Sequence, residues 1–158
     1  MASNLKNLSQ HSGKNITDMS SKKFGVVVSE WNDEVTEALY SGAVQTLVEN
    51  GVPKANILKK YVPGSYELIL GSQWLAQQDD IDAVICLGCV IQGETRHFDF
   101  ICDAVAQGIK DVNLNFNKPV IFGVLTTDTM QQALDRAGGK HGNKGDEAAI
   151  TAVKMLGF

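Results

Sequence analysis

The stretch Glu94-Thr95-Arg96-His97-Phe98-Asp99-Phe100 sets one imidazole among two carboxylates and a guanidinium, directly after a long apolar run. An imidazole exchanges protons near neutral pH, which makes His97 a candidate acid/base; a polar residue at a helix start is the structural alternative. The positive end of the helix dipole in that first turn favours a neutral imidazole able to accept a proton. A metal site is disfavoured, because the stretch holds one imidazole and Glu94, His97 and Asp99 do not share a helical face. Just upstream, Gln92-Gly93-Glu94-Thr95 joins a glycine that permits close backbone approach to an N-capping threonine. That combination suits a bound phosphate and, equally, an ordinary helix start. Arg136, Lys140 and Lys144 surround the glycine-rich residues 138–145, where cations on a turn either clamp an anion or are simply solvated.

The cysteines are Cys86, Cys89 and Cys102, an odd number in a chain without an export signal, so structural disulfides are not expected. Cys86-Leu87-Gly88-Cys89 fits C-x-x-C, yet a reactive pair belongs at a helix start and this one lies inside an apolar run that reads as a buried strand. Two side chains three apart on a strand point to opposite faces, so both read as small buried hydrophobes.

The elements that must position these residues follow from periodicity. In a chain of 158 residues, 44% hydrophobic and 20% charged, one ordinary globular domain is expected. The net charge of -4 gives no general attraction to nucleic acid or to an anionic membrane, so an anionic ligand needs a local site. Residues 1–22 are polar and rich in Ser, Asn and Lys, without the apolar core of a signal peptide, and no later run is long enough to span a bilayer. They read as an N-terminal arm, extended or disordered, on a cytoplasmic protein whose single domain is residues 23–158.

Residues 24–28 (FGVVV) read as the first strand, followed from Val35 by a helical stripe capped by Asn32 and Asp33 and stopped at Asn50-Gly51-Val52-Pro53. Residues 55–62 form a second, more polar strand, and Tyr66, Ile69, Leu70 and Trp74 begin another helical stripe. Residues 82–91, apolar on both faces, suit a central parallel strand. Phe98, Ile101, Cys102, Val105, Ile109 and Val112 mark the clearest helix, residues 119–125 the fourth strand, and two short helices lie near 129–136 and 145–156. Alternating strand and helix imply an α/β fold, a three-layer α/β/α sandwich around a four-stranded parallel sheet. Such a sheet binds ligands beyond the carboxyl ends of its strands, which selects Trp31-Asn32, residues 64–67, residues 92–97 and residues 126–128. Their aromatic and polar side chains suit a flat heterocycle. Neither a Walker A loop nor a G-x-G-x-x-G fingerprint is present.

Taken in order, FGVVVSEWN, VPGSYEL, LGCVIQGETRHFDF, VIFGVLTTDT and RAGGKHGNKGDEA closely resemble the lumazine synthases (6,7-dimethyl-8-ribityllumazine synthases) of riboflavin biosynthesis. The similarity runs from about residue 24 to residue 156. It implies a flavodoxin-like fold and the penultimate step of the pathway. There 5-amino-6-(D-ribitylamino)uracil condenses with 3,4-dihydroxy-2-butanone 4-phosphate, with release of phosphate and water and without cofactor or metal. By matched motif position, Trp31 stacks on the pyrimidine, while Asn32, Ser65, Tyr66, Glu67, Cys89, Val90 and Ile91 contact its ring and ribityl chain. Glu94, Thr95 and Arg136 hold the phosphate, His97 is the acid/base, and Phe122 and Lys144 come from an adjacent subunit. The resemblance further implies homo-oligomers, pentamers or an icosahedral shell of twelve pentamers, and suggests riboflavin synthase as a partner. Gln92 replaces a common Arg, Ile69 a common Pro, and Cys89 a common Thr or Ser. Two other classes compete with an active synthase: a catalytically weak, capsid-like homologue and a thiol oxidoreductase using Cys86 and Cys89.

Overall fold

The computed structural model describes residues 18–158. Of the expected arm, residues 1–17 lie outside the described residues; within 18–22, Asp18, Ser20 and Ser21 are exposed, while Met19 and Lys22 are tied to the domain. Met19 is buried against the body of the domain. Asp82 accepts both the Lys22 ammonium at 2.9 Å and the Lys23 backbone N–H at 2.8 Å, which ties this entry segment down.

Strand β1 (Phe24–Ser29) leads through helix α1 (Asp33–Glu49) to β2 (Ile57–Val62), and helix α2 (Leu68–Ala76) leads to β3 (Ala83–Ile91). Helix α3 (His97–Phe116), β4 (Val120–Thr127), the short α4 (Met130–Leu134), a small hairpin β5 (Ala137–Gly139) and β6 (Gly142–Asn143), and α5 (Lys144–Leu156) complete the chain. The four long strands are parallel in the order β2-β1-β3-β4, as the alternation requires.

Both faces of the sheet are covered, and alternate residues serve different cores. Val26, Val28, Ile85, Leu87, Ile121 and Leu125 meet α1 and α5 through Leu39, Leu47, Ala149 and Val153. Val27, Val84, Val120 and Val124 meet α2 and α3 through Leu68, Leu75, Val105, Ile109 and Val112. The two cysteines of C-x-x-C divide as their spacing dictates: Cys86 joins the α2/α3 core and Cys89 the α1/α5 core. Burial pushes the Cys86 thiol up to about 12 and the Cys89 thiol up to about 11.

Three expectations change. The second strand starts two residues late, because Pro53 opens a single 3-10 turn at Lys54–Asn56 that the Asn56 N–H closes on the Pro53 carbonyl at 2.8 Å. Of the expected stripe Tyr66, Ile69, Leu70 and Trp74 only Ile69 packs against the core; the other three are exposed, while Leu68, Gly71, Ser72, Leu75 and Ala76 are buried. Small side chains decide this. A Cβ on Gly71 would stand 2.8 Å from Val62 and 3.0 Å from Val27, so the helix lies too close to the sheet for its bulky face to point inward. The buried stripe of α3 begins in full only at Val105, with Phe98, Ile101 and Cys102 half-buried. On the β2 edge, Lys59 bonds Glu37 at 2.7 Å and stands over the rings of Tyr40 and Tyr61 at 3.9 and 4.5 Å.

Helices α1 and α5 meet through glycine. A Cβ on Gly145 would fall 1.9 Å from the Leu39 carbonyl oxygen, a backbone atom that cannot swing aside. Gly145→Ala should therefore destabilise the fold by about 2 kcal/mol or more in denaturant titrations, as overpacking at a backbone contact does. An unchanged midpoint would show that the two helices separate at little cost. The thiols give a second check. In native protein at pH 8 both remain protonated and shielded, so iodoacetamide should spare Cys86 and Cys89 and label both once urea unfolds the chain.

Candidate active site

The strand order places β1 beside β3, with α1 carrying the chain to one side of β1 and α2 bringing it back across to the other. That reversal opens a crevice at the carboxyl ends of β1 and β3, where parallel sheets receive ligands. Asn32 stands at the opening. It adopts a left-handed conformation at φ 60°, which Asn tolerates better than most residues. Its backbone carbonyl accepts the first N–H groups of α1, from Val35 and Thr36, at 3.0 and 3.1 Å. The cap expected from its side chain is absent; instead Nδ2 donates to the Cys89 carbonyl at 2.9 Å, tying the end of β1 to β3. Thr36 Oγ1 donates to the Ser29 carbonyl at 2.8 Å from the same turn.

Trp31, the residue before Asn32, is 72% exposed. Its backbone N–H donates to the Pro63 carbonyl at 3.1 Å, so the β1 exit also holds the loop after β2. In that loop Ser65 is buried and its Oγ has no hydrogen-bond partner among the described residues; it faces Gly88, where a Cβ would stand 2.7 Å away. Tyr66 and Glu67 are exposed beyond it, and Val90 and Ile91 are half-buried at the end of β3. Past β3, Glu94, Thr95 and His97 all lie exposed at the start of α3, and Thr95 Oγ1 accepts the His97 backbone N–H at 3.3 Å. This end of the sheet thus assembles an aromatic face, free helix N–H groups and an imidazole.

Phe122, Arg136 and Lys144 gather elsewhere. With Thr126, Glu147 and residues of α3 and α5 they line an open groove of about 870 Å³ along the outer side of β4. Trp31, Asn32, Glu94, Thr95 and His97 do not line it. Phe122 is 42% exposed although it lies inside a strand, because β4 is the sheet edge and, among the described residues, no further strand pairs beyond it. Arg136 donates through one guanidinium nitrogen to the Gln132 carbonyl at 2.9 Å, and among the described residues no carboxylate pairs with it. Lys144 is held by Glu147 one turn further along α5.

The glycine-rich segment, read as a loose turn, is a hairpin. Gly138 and Gly142 take positive φ of 114° and 75°, conformations open to glycine, and the Lys144 N–H donates to the Arg136 carbonyl at 2.8 Å. The two cations therefore sit side by side at the hairpin's feet. Glu147 escaped the sequence reading; its spacing of three from Lys144 on a helix was the available signal.

Comparison with known proteins follows the same chain. A family model described as 6,7-dimethyl-8-ribityllumazine synthase matches residues 21–158. A protein of that name from Cytophaga hutchinsonii is 69% identical over 156 residues, covering 99% of this chain and 98% of the relative. One from Parabacteroides distasonis is 53% identical over 158 residues, covering 100% and 99%, and one from Flavobacterium johnsoniae is 55% identical over 155 residues, covering 98% and 82%.

Proposed function

The chain belongs to the 6,7-dimethyl-8-ribityllumazine synthase family, and on that footing we propose how its residues carry out the reaction. It is a transferase of riboflavin biosynthesis that condenses 5-amino-6-(D-ribitylamino)uracil with 3,4-dihydroxy-2-butanone 4-phosphate, giving the lumazine, phosphate and water. One observation carries the assignment of roles: the candidate residues of a single chain fall into two groups, one at the strand ends and one in the β4 groove. A complete site therefore takes the strand ends of one subunit and the groove of the next.

In this reading residues 23–158 are the catalytic domain of a cytoplasmic homo-oligomer, a pentamer or twelve pentamers, with riboflavin synthase as a partner for its product. Trp31 stacks on the pyrimidine, and the residues around the β1–β3 crevice, Asn32, Ser65, Tyr66, Glu67, Cys89, Val90 and Ile91, hold its edge and ribityl chain. Asn32 contributes through its position, since its amide is engaged by Cys89. Glu94 and Thr95 bring the phosphate to the first N–H groups of α3, where an anion is favoured. The neighbouring subunit supplies Phe122 against the ring together with Lys144, and Arg136, which the resemblance put only at the phosphate, is assigned to that same subunit because it lines the same groove. Arg136, which no carboxylate among the described residues pairs with, neutralises the phosphate as its C–O bond breaks.

His97 serves the proton transfers. Attack of the substrate amine on the ketone gives a carbinolamine, and loss of its hydroxyl as water gives the imine. A proton must leave nitrogen and another must reach the departing oxygen, and an imidazole at the crevice mouth can take one and return the other. Both substrates bring their own reactivity, so holding them together supplies much of the rate.

Mixing purified protein with both substrates should generate the fluorescent lumazine; a rate no higher than the spontaneous background would sink the catalytic reading. His97→Ala should slow turnover by about 100-fold, the scale of a positioned acid/base, while pyrimidine affinity changes little. Sharing of the site is tested by mixing. Chains carrying His97→Ala, refolded together with chains carrying Arg136→Ala, should recover activity at about a quarter of the interfaces, those where an intact strand end meets an intact groove. No recovery would place both residues in one subunit's site.

A further inference from the structure

The hairpin that carries Arg136 and Lys144 is held from beneath by one carboxylate to which none of the motif assignments gives a role. Asp135 closes α4, immediately before Arg136. Its side chain is only 13% exposed and does not pair with its neighbour's guanidinium, which turns instead to the Gln132 carbonyl. One carboxylate oxygen receives the Lys140 ammonium from the hairpin tip at 2.9 Å; the other receives the Gln131 side-chain amide at 3.0 Å. The backbone adds a third tie, as the His141 N–H donates to the Asp135 carbonyl at 2.8 Å. Gly139 lies so close over this point that a Cβ would stand 2.7 Å from Asp135 Cα. The tip is thus folded down onto the end of α4, while its feet bring Arg136 and Lys144 into register through the Lys144 N–H and the Arg136 carbonyl.

We propose that Asp135 is a positioning residue for the condensation: by clasping Lys140 and Gln131 it fixes the hairpin from which Arg136 reaches the phosphate of the four-carbon substrate. The proposal rests on the reading that Arg136 meets that phosphate. Three features favour a clasp over a surface ion pair. The carboxylate is sequestered although its lysine is not, it is bound from two elements at once, and the backbone folds to bring the tip to it. The hydrogen bonds from Lys140 and then Gln131 hold its carboxyl below the usual carboxylate range, so it stays charged at neutral pH. Asp135 also leaves Arg136 unquenched, since the carboxylate nearest in sequence is committed to Lys140.

The test is a set of variants assayed with each substrate varied in turn. Asp135→Asn should raise KM for the four-carbon phosphate by roughly threefold to tenfold, the reach of a half-exposed pair plus its neighbouring hydrogen bond. KM for the pyrimidine, melting temperature and oligomer size should stay at parental values. Lys140→Met removes the same clasp from the other side and should give the same split, and the double variant should be no worse than Asp135→Asn alone. Parental kinetics for Asp135→Asn would overturn the proposal. So would a rise in both KM values together with a lowered melting temperature, which marks a purely structural role. Arg136→Met is run alongside. If it leaves the phosphate KM unchanged, the reading of Arg136 itself fails; if it raises that KM while Asp135→Asn does not, only the clasp is wrong.

Discussion

The central strands of this sheet, β1 and β3, have no solvent-facing side along their buried length, and the rest of the architecture follows from that constraint. A strand such as β3, buried from Ala83 to Cys89, must give alternate side chains to two separate cores. Helices are then obligatory on both sides, and polar chemistry is expelled to the strand ends and the sheet edges. Those are the two places where the candidate residues occur. Close approach sharpens the effect: Gly71 lets α2 reach the sheet, and Gly145 lets α5 reach α1. Bulky residues are thereby turned outward, and Tyr66, Leu70 and Trp74 become surface.

Much of this was legible beforehand, because it depends on local period and on burial. The runs at residues 24–28 and 82–91 read as buried parallel strands because they lack a polar face, and that same reasoning put Cys86 and Cys89 on opposite sides. The long stripe through Val105, Ile109 and Val112 left no doubt about α3. The four strand ends could be named beforehand as places for a ligand, while the reversal between β1 and β3 comes from the strand order. Five motifs in register named the family, and the relatives agree.

Tertiary proximity was not legible. Helix α2 carries two apolar faces, and only the distance to Val27 and Val62 selects between them. Asn32 has the composition of a cap, yet the carbonyl that takes its amide lies 57 residues away, at Cys89. Residues 138–145 looked like a loose turn because glycine content signals freedom, whereas two positive φ angles and the Lys140–Asp135 pair make it a defined hairpin. Phe122 stands inside a strand, where core packing is the ordinary outcome. It is exposed because its strand is an edge, and edge position is a property of sheet order that no single segment records.

The two edges of the sheet are unequal. The β2 edge carries Lys59 and Lys60, and its Lys59 is wrapped by Glu37, Tyr40 and Tyr61. Such an edge repels an incoming strand. The β4 edge differs: its exposed Phe122 faces an open groove whose charged residues, Arg136, Lys144 and Glu147, stand on other elements. A molecule sticky on one side and blocked on the other cannot stack edge to edge without end, because each addition presents the blocked edge to the next. The asymmetry acts as a chain terminator against open cross-β stacking.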